Sequence, residues 1–334
     1  MTDNDAVPFP PPDEVCFAFP PDPGRARALD TRMHLALAGS LSRLAEALAA
    51  PCPSASAGLA AAADGLRSGR RVGPDGFARA HEIAARGQVR DLSALSDQVT
   101  ALSAAIARGR APFAVTARGA SGEIDALMNL RMGKAAANFA PVVHGEAAGL
   151  ANGITSALAL MRDALPALHG EITGIVHHVV VARAPDGIER AVASASHDQF
   201  WGLMLLNPDL LRTPLQSVEG LVHEAAHMFL YGHMVDEPLV LNPDAERHPT
   251  PLTAAPSPMH DIFHATYVAA RTAWAMDALA GSGRLTAEER AAARAAATTA
   301  RDRFADGMAV IDLHGRLTGS GQALIEGARD WIRG

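Results

Sequence analysis

Apolar residues recur at helical spacing through most of the first half of the chain. From about Arg25 to Ala50, Leu29, Met33, Leu35, Leu37, Leu41, Leu44 and Leu48 follow one face, and Pro51-Cys52-Pro53 ends the run, which predicts a single helix. Further helical periods cover about 55–68, 75–108, 121–135 and 139–164, broken at Gly73-Pro74 and over Arg108–Pro112. Ahead of them, residues 1–24 carry Pro8, Pro10, Pro11, Pro12, Pro20, Pro21 and Pro23. Each proline lacks an amide donor, so this stretch is expected to be an extended arm, with residues 25–165 forming a helical layer behind it.

The pattern changes after Pro166. Ile172–Ala182 holds a Val-Val-Val run, Pro185-Asp186-Gly187 reads as a turn, and Ile188–Ser194 alternates, which together predict a hairpin. Trp201–Leu206 is a third candidate strand, stopped by Asn207-Pro208. Ser217 and Glu219 then open an apolar-periodic helix that runs through Tyr231 and ends at Gly232. After a proline-rich connection from Pro238 to Pro258 come a helix from about His260 to Leu279, another from Thr286 to Asp306 with Thr286 and Glu289 in a capping-box pattern, and a short final element. The expected fold is α+β: mostly helical, with a small antiparallel sheet beside the helix that carries His223, and residues 166–334 forming the catalytic region.

Composition narrows the function. The 334 residues are 49% hydrophobic, enough to bury a substantial core, and the 29 basic and 36 acidic residues, for a net charge of −7, are dispersed. No basic stripe exists to neutralise phosphates, so nucleic acid is not an expected partner. Two cysteines, Cys16 and Cys52, are too few for a disulfide framework or a thiolate metal site, and no signal pattern or long uncharged apolar stretch occurs. A cytoplasmic protein without a membrane span is expected.

The chemistry concentrates in His223-Glu224-Ala225-Ala226-His227. On a helix, histidines four apart project from one face a turn apart and can share one divalent ion, zinc or ferrous iron. Glu224 lies beside the first, where in metallopeptidases such a glutamate takes a proton from water at the metal. The surrounding Leu221, Val222, Ala225, Ala226, Met228 and Phe229 make this an apolar helix, a poor place for imidazoles without a partner.

For the third ligand, His264 in His260-Asp261-Ile262-Phe263-His264 is favoured over His233, whose preceding turn comes too late, and over Asp236, Glu237, Asp244 and Glu246, which also suit a solvated loop. Arg271, seven residues beyond His264, falls on nearly the same helical face and is a candidate to hold a cosubstrate carboxylate. His144 with Glu146, His169, and the strand pair His177-His178 are read as structural.

Taken together with Glu237-Pro238-Leu239-Val240, Asn242, Glu246-Arg247, Pro251-Leu252, Pro256, Pro258-Met259 and Ile262-Phe263-His264-Ala265-Thr266-Tyr267-Val268, the stretch from Leu221 to Arg271 resembles the HExxH-motif peptide-modification family, and the likeness extends over roughly residues 170–330. The resemblance implies a dioxygenase that uses iron and 2-oxoglutarate for β-hydroxylation of ribosomally made peptides. It implies His223, His227 and His264 as iron ligands, Arg271 as the cosubstrate residue, and Glu224 as a group behind the ligands. Family members commonly carry two arginines in the loop before the third histidine, where this chain has Thr253 and Ser257. Without the family, the motif alone favours a zinc hydrolase with Glu224 as general base and Trp201–Leu206 as the peptide-pairing strand. A non-catalytic peptide-binding protein is the third reading.

Overall fold

A computed structural model describes residues 17–88, 94–120, 122–142, 147–185, 187 and 192–333. The helical layer opens with α1 (Pro23–Leu48), α2 (Pro53–Arg67), α3 (Pro74–Gln88) and α4 (Leu95–Arg108). Proline at the first helical position starts α1, where Asp22 also caps Gly24 N, and α2 likewise begins on Pro53. After strand β1 (Ala114–Ala117) come α5 (Gly122–Met132), a 3₁₀ turn (Gly133–Asn138), α6 (Ala147–Ala164) and α7 (Pro166–Ile175). The second half holds β2 (His178–Val181), β3 (Ser194–Ser196), β4 (Leu203–Leu206), α8 (Pro214–His233), β5 (Arg247–His248), β6 (Ser257–Pro258), α9 (Met259–Gly281), α10 (Ala287–His314) and α11 (Gly319–Arg333).

The fold is mostly helical with a small sheet beside α8, as the pattern predicts, but the strand directions differ from expectation. The main sheet has the order β1-β2-β4-β3, with β1, β2 and β4 parallel and only β3 antiparallel to β4. The expected hairpin is not found among the described residues, where β2 is flanked by β1 and β4. Ile172 belongs to α7, where Leu168, Ile172 and Ile175 are buried at helical spacing and Pro166 supplies the start, so the helical period outweighs the β-branched residues. Of the second predicted arm, 188–191 lie outside the described residues, while Ser194–Ser196 pairs with β4 rather than β2.

Within Trp201–Leu206, the stretch expected to pair with a peptide, Leu203–Leu206 is an interior strand buried on both faces: Met204 and Leu206 join the main core with Val179, and Leu203 and Leu205 join a second cluster with Val180, Met128 and Phe139. The edge beside α8 is β3.

The proline-rich arm is only partly an arm. Phe19 is 3% exposed, packed edge-on against Tyr267 and stacked on Trp331, while residues 1–16 lie outside the described segment. Under it, Glu171 of α7 receives Arg25 of α1 at 2.7 Å and Arg271 of α9, and also accepts from Asp22 N at 2.8 Å. A second buried carboxylate, Asp30 of α1, takes both Nη1 contacts of Arg110 at 2.9 and 2.8 Å and the indole of Trp201 at 2.9 Å. These two acids tie the helical layer to the sheet and to α9. Among the described residues no helix is long and apolar enough to cross a membrane.

Candidate metal centre

Helix α8 begins in a reciprocal cap: Thr213 accepts from Gln216 N, and the Gln216 side chain accepts from Thr213 N, with Pro214 at the first helical position. This start lies a turn earlier than Ser217, whose hydroxyl instead reaches Leu211 O. Leu221, Val222, Ala226, Met228 and Phe229 bury one side of the helix. The stripe left at four-residue spacing is Glu219, His223, His227 and Tyr231.

Helix α9 brings His264 against that stripe. His227 Nδ1 and His264 Nδ1 stand 3.4 Å apart, with ring centres at 5.6 Å, and the His223 ring is 5.1 Å from that of His227. In the metal-free chain the Nδ1 contact is a long hydrogen bond. Two imidazole nitrogens bound to one ion at ~2.1 Å stand about 3 to 3.4 Å apart, so the same spacing fits a shared ion.

Burial holds all three imidazoles neutral, the state that binds metal. His227 is pushed down to about 3 by burial and then by His223 and His264, and His264 to about 4 by burial and then by His260. His223 is lowered by burial and by the Arg303 charge, although 43% of its side-chain surface remains open. Even so, among the described residues no three His, Cys, Asp or Glu side chains form a group ready to hold an ion. Two of the expected donors converge, and the third only borders them.

Glu224 turns towards the sheet. It is 2% exposed, its carboxyl lies 4.0 Å from His223 Nε2, and burial raises it to about 7 against the opposing influence of Ser194 and Ser196 of β3. Ser196 Oγ is itself buried and stands off from a full hydrogen bond. A protonated carboxyl in that place is a donor, and an ionised one is a base beside the histidines.

Arg271 is placed differently from expectation. It is 4% exposed, donates to Phe19 O at 2.7 Å and pairs with Glu171, so its guanidinium is committed to the core instead of facing a cosubstrate. The helical-face argument located its Cα correctly but could not see Glu171 arriving from α7. The arginine that sequence reasoning missed is Arg303 of α10. It is exposed, makes no salt bridge among the described residues, and its charge bears on both His223 and Glu219. No sequence signal marks it, because it lies 80 positions beyond His223 and enters only through the packing of α10 on α9.

The rejected ligands are occupied elsewhere. His233, 2% exposed, packs with tilted rings against Phe229 and Phe17, away from the His223–His227 stripe of α8. Asp236 pairs with Arg32, Glu237 accepts from Ser320, and Glu246 pairs with Arg316 at 2.9 Å. Asp244 and Asp261 flank His260 at 3.4 and 3.0 Å, which leaves His260 as a surface group at the helix start. His177 approaches Asp30 at 3.5 Å, whereas His178 meets Thr116 at 2.7 Å from the other side; His144 and Glu146 lie outside the described residues. Thr253 and Ser257 hydrogen-bond each other at 2.9 Å. Compared with known families and with curated proteins, the chain matches no family model and no curated protein.

Proposed function

We propose that this chain holds a divalent metal, iron in its working form, between α8 and α9, and uses it with 2-oxoglutarate to hydroxylate a β-carbon of a peptide. The observation that carries the reading is the 3.4 Å approach of His227 and His264 from two helices, with His223 alongside and all three imidazoles kept neutral by burial. Iron supplies oxidative chemistry when bound; the chain's own groups bind and orient. Arg303, unpaired at the mouth, replaces Arg271 as the holder of the cosubstrate carboxylate. The peptide fits as an added strand on β3, which no other strand among the described residues covers on its outer side and whose Ser194 and Ser196 border Glu224.

A zinc hydrolase is the second reading, favoured by one observation: Glu224, raised to about 7 beside His223, has the acidity of a general base at neutral pH. Titrating the anaerobic ferrous protein with 2-oxoglutarate separates the two. A visible charge-transfer band that weakens in Arg303→Gln supports the oxygenase. Tight zinc, no band, and peptide cleavage lost in Glu224→Gln would establish the hydrolase.

A further inference from the structure

We propose that the apolar groove between α1 and α3 is the docking site of this chain's own proline-rich segment, residues 7–12. The two helices run side by side in the same direction. Near one end the His34 ring meets the Phe77 ring edge-on at 5.1 Å, and near the other Leu44 Cδ1 stands 3.1 Å from where a Cβ on Gly87 would lie. Between these contacts a groove of about 270 Å³ stays open, floored by Met33, Leu37, Leu41 and Leu44 of α1 and Phe77 of α3. Val235 closes the Met33 end, where Arg32 pairs with Asp236. Small-molecule sites span about 300 to 1,000 Å³ and gather convergent polar groups, whereas the polar groups of this lining are Ser40 and His81. A narrow apolar trough suits an extended segment that presses a few side chains into it.

Reach, chemistry and charge name the occupant. Phe17, the first described residue, has its ring 5.3 Å from that of His233, and Val235 follows His233 by two residues. Residues 13–16 therefore bridge a short gap, and extended chain covers up to about 3.5 Å per residue. From Met33 to Leu44 the groove runs about 17 Å at the helical rise, and six residues of polyproline helix cover about 19 Å. The segment reads Val7-Pro8-Phe9-Pro10-Pro11-Pro12, and four of its six residues lack an amide hydrogen, so a wall poor in acceptors leaves little unsatisfied. Proline-rich segments dock on aromatic-bearing apolar grooves in this way at low entropic cost. Asp3 and Asp5 precede the segment, and at the far end of the groove the exposed Arg43 donates to Ser40 Oγ and makes no salt bridge among the described residues. A tethered segment acts at about millimolar effective concentration, so it outcompetes a similar segment of a partner present at micromolar levels by roughly a thousandfold.

The test puts the photocrosslinking residue p-benzoylphenylalanine in place of Phe9 in the full chain, irradiates the protein at low micromolar concentration, and maps the crosslinks by mass spectrometry. The expected result is crosslinks within one chain to peptides holding residues 33–44 or 77–84. Ala36→Glu, at a half-buried position of the lining, puts a charge in the groove without emptying the core and should lower the crosslink yield tenfold or more. Leu313→Glu, at a leucine 75% exposed on α10, should leave the yield unchanged. Circular dichroism checks that both variants fold, and if Ala36→Glu does not, Ser40→Arg at an exposed position of the same lining replaces it. Crosslinks to other surfaces, no crosslink, or a yield unchanged in the folded groove variant overturns the proposal. Crosslinks between two chains also overturn it and assign the groove to an interface between copies.

Discussion

Replacing Glu171 tests whether Arg271 belongs to the core or to the site. The Glu171 carboxylate is 3% exposed and serves two guanidinium groups, Arg25 at 2.7 Å and Arg271, along with the Asp22 amide. Glu171→Gln removes the anion that the two buried guanidinium groups share, and breaking a buried pair from one side costs about 3 to 5 kcal/mol. That is a large part of a typical domain stability of roughly 5 to 15 kcal/mol.

Arg271→Met has the smaller expected cost, although it removes an ion-pair partner. It leaves Arg25 and Glu171 as a balanced pair, and what remains is the unpaired Phe19 carbonyl, worth about 1 to 3 kcal/mol. Urea unfolding of the metal-free protein gives both numbers from the midpoint shift at constant slope. A Glu171→Gln cost below ~1 kcal/mol, or a larger cost for Arg271→Met than for Glu171→Gln, would refute the reasoning. In the folded Arg271→Met protein, ferrous binding of 2-oxoglutarate should be unchanged, and its loss would return Arg271 to the site.

Two further outcomes follow from the packing. Glu224 is raised from 4.5 to about 7 in the fold, so its neutral form stabilises the fold at low pH and that contribution is lost as the pH rises through about 7. Glu224→Gln should therefore gain stability over wild type by about 3 kcal/mol between pH 4.5 and pH 8 in metal-free unfolding, and a pH-independent difference would show that the carboxyl is not desolvated. At Gly307 of α10, an added Cβ would stand 1.9 Å from Thr266 Oγ1 and 3.0 Å from Leu252 Cδ1, so Gly307→Ala should force α10 away from α9 at a cost of about 1 to 3 kcal/mol in thermal unfolding, and an unshifted midpoint would contradict this packing.

Helices with a long regular period were legible in the sequence. The spacing of Leu29, Leu37, Leu41 and Leu48 and the Thr286–Glu289 cap both reappear in the fold. Legibility failed where local signals competed, as at Ile172, or where direction depended on distant pairing. Three hydrophobic strands carry no mark of being parallel, and β1 was missed because Ala114–Ala117 has no alternation strong enough to stand out from the loop before it. In the site, His227 and His264 approach each other from two helices and His223 only borders them; the short return between α8 and α9 is legible, the full set of donors is not. Arg271 departed from expectation because the fate of an arginine is set by whichever carboxylate the tertiary fold delivers, and Glu171 lies 100 positions from Arg271.

The placement of Phe19 links the segment before α1 to α11. Its ring lies on Trp331, the neighbouring Ala18 and Phe19 carbonyls are held by Arg25 and Arg271, and Gly327 is pressed close to the Phe17 carbonyl. A chain emerging from the ribosome can stack α1 on α2 early, but the cavity that receives Phe19 has no floor until the last helix has been made. Closure of the fold around Phe19 therefore waits for α11, and until that helix is in place the Phe17–Phe19 segment lacks one wall of its apolar site.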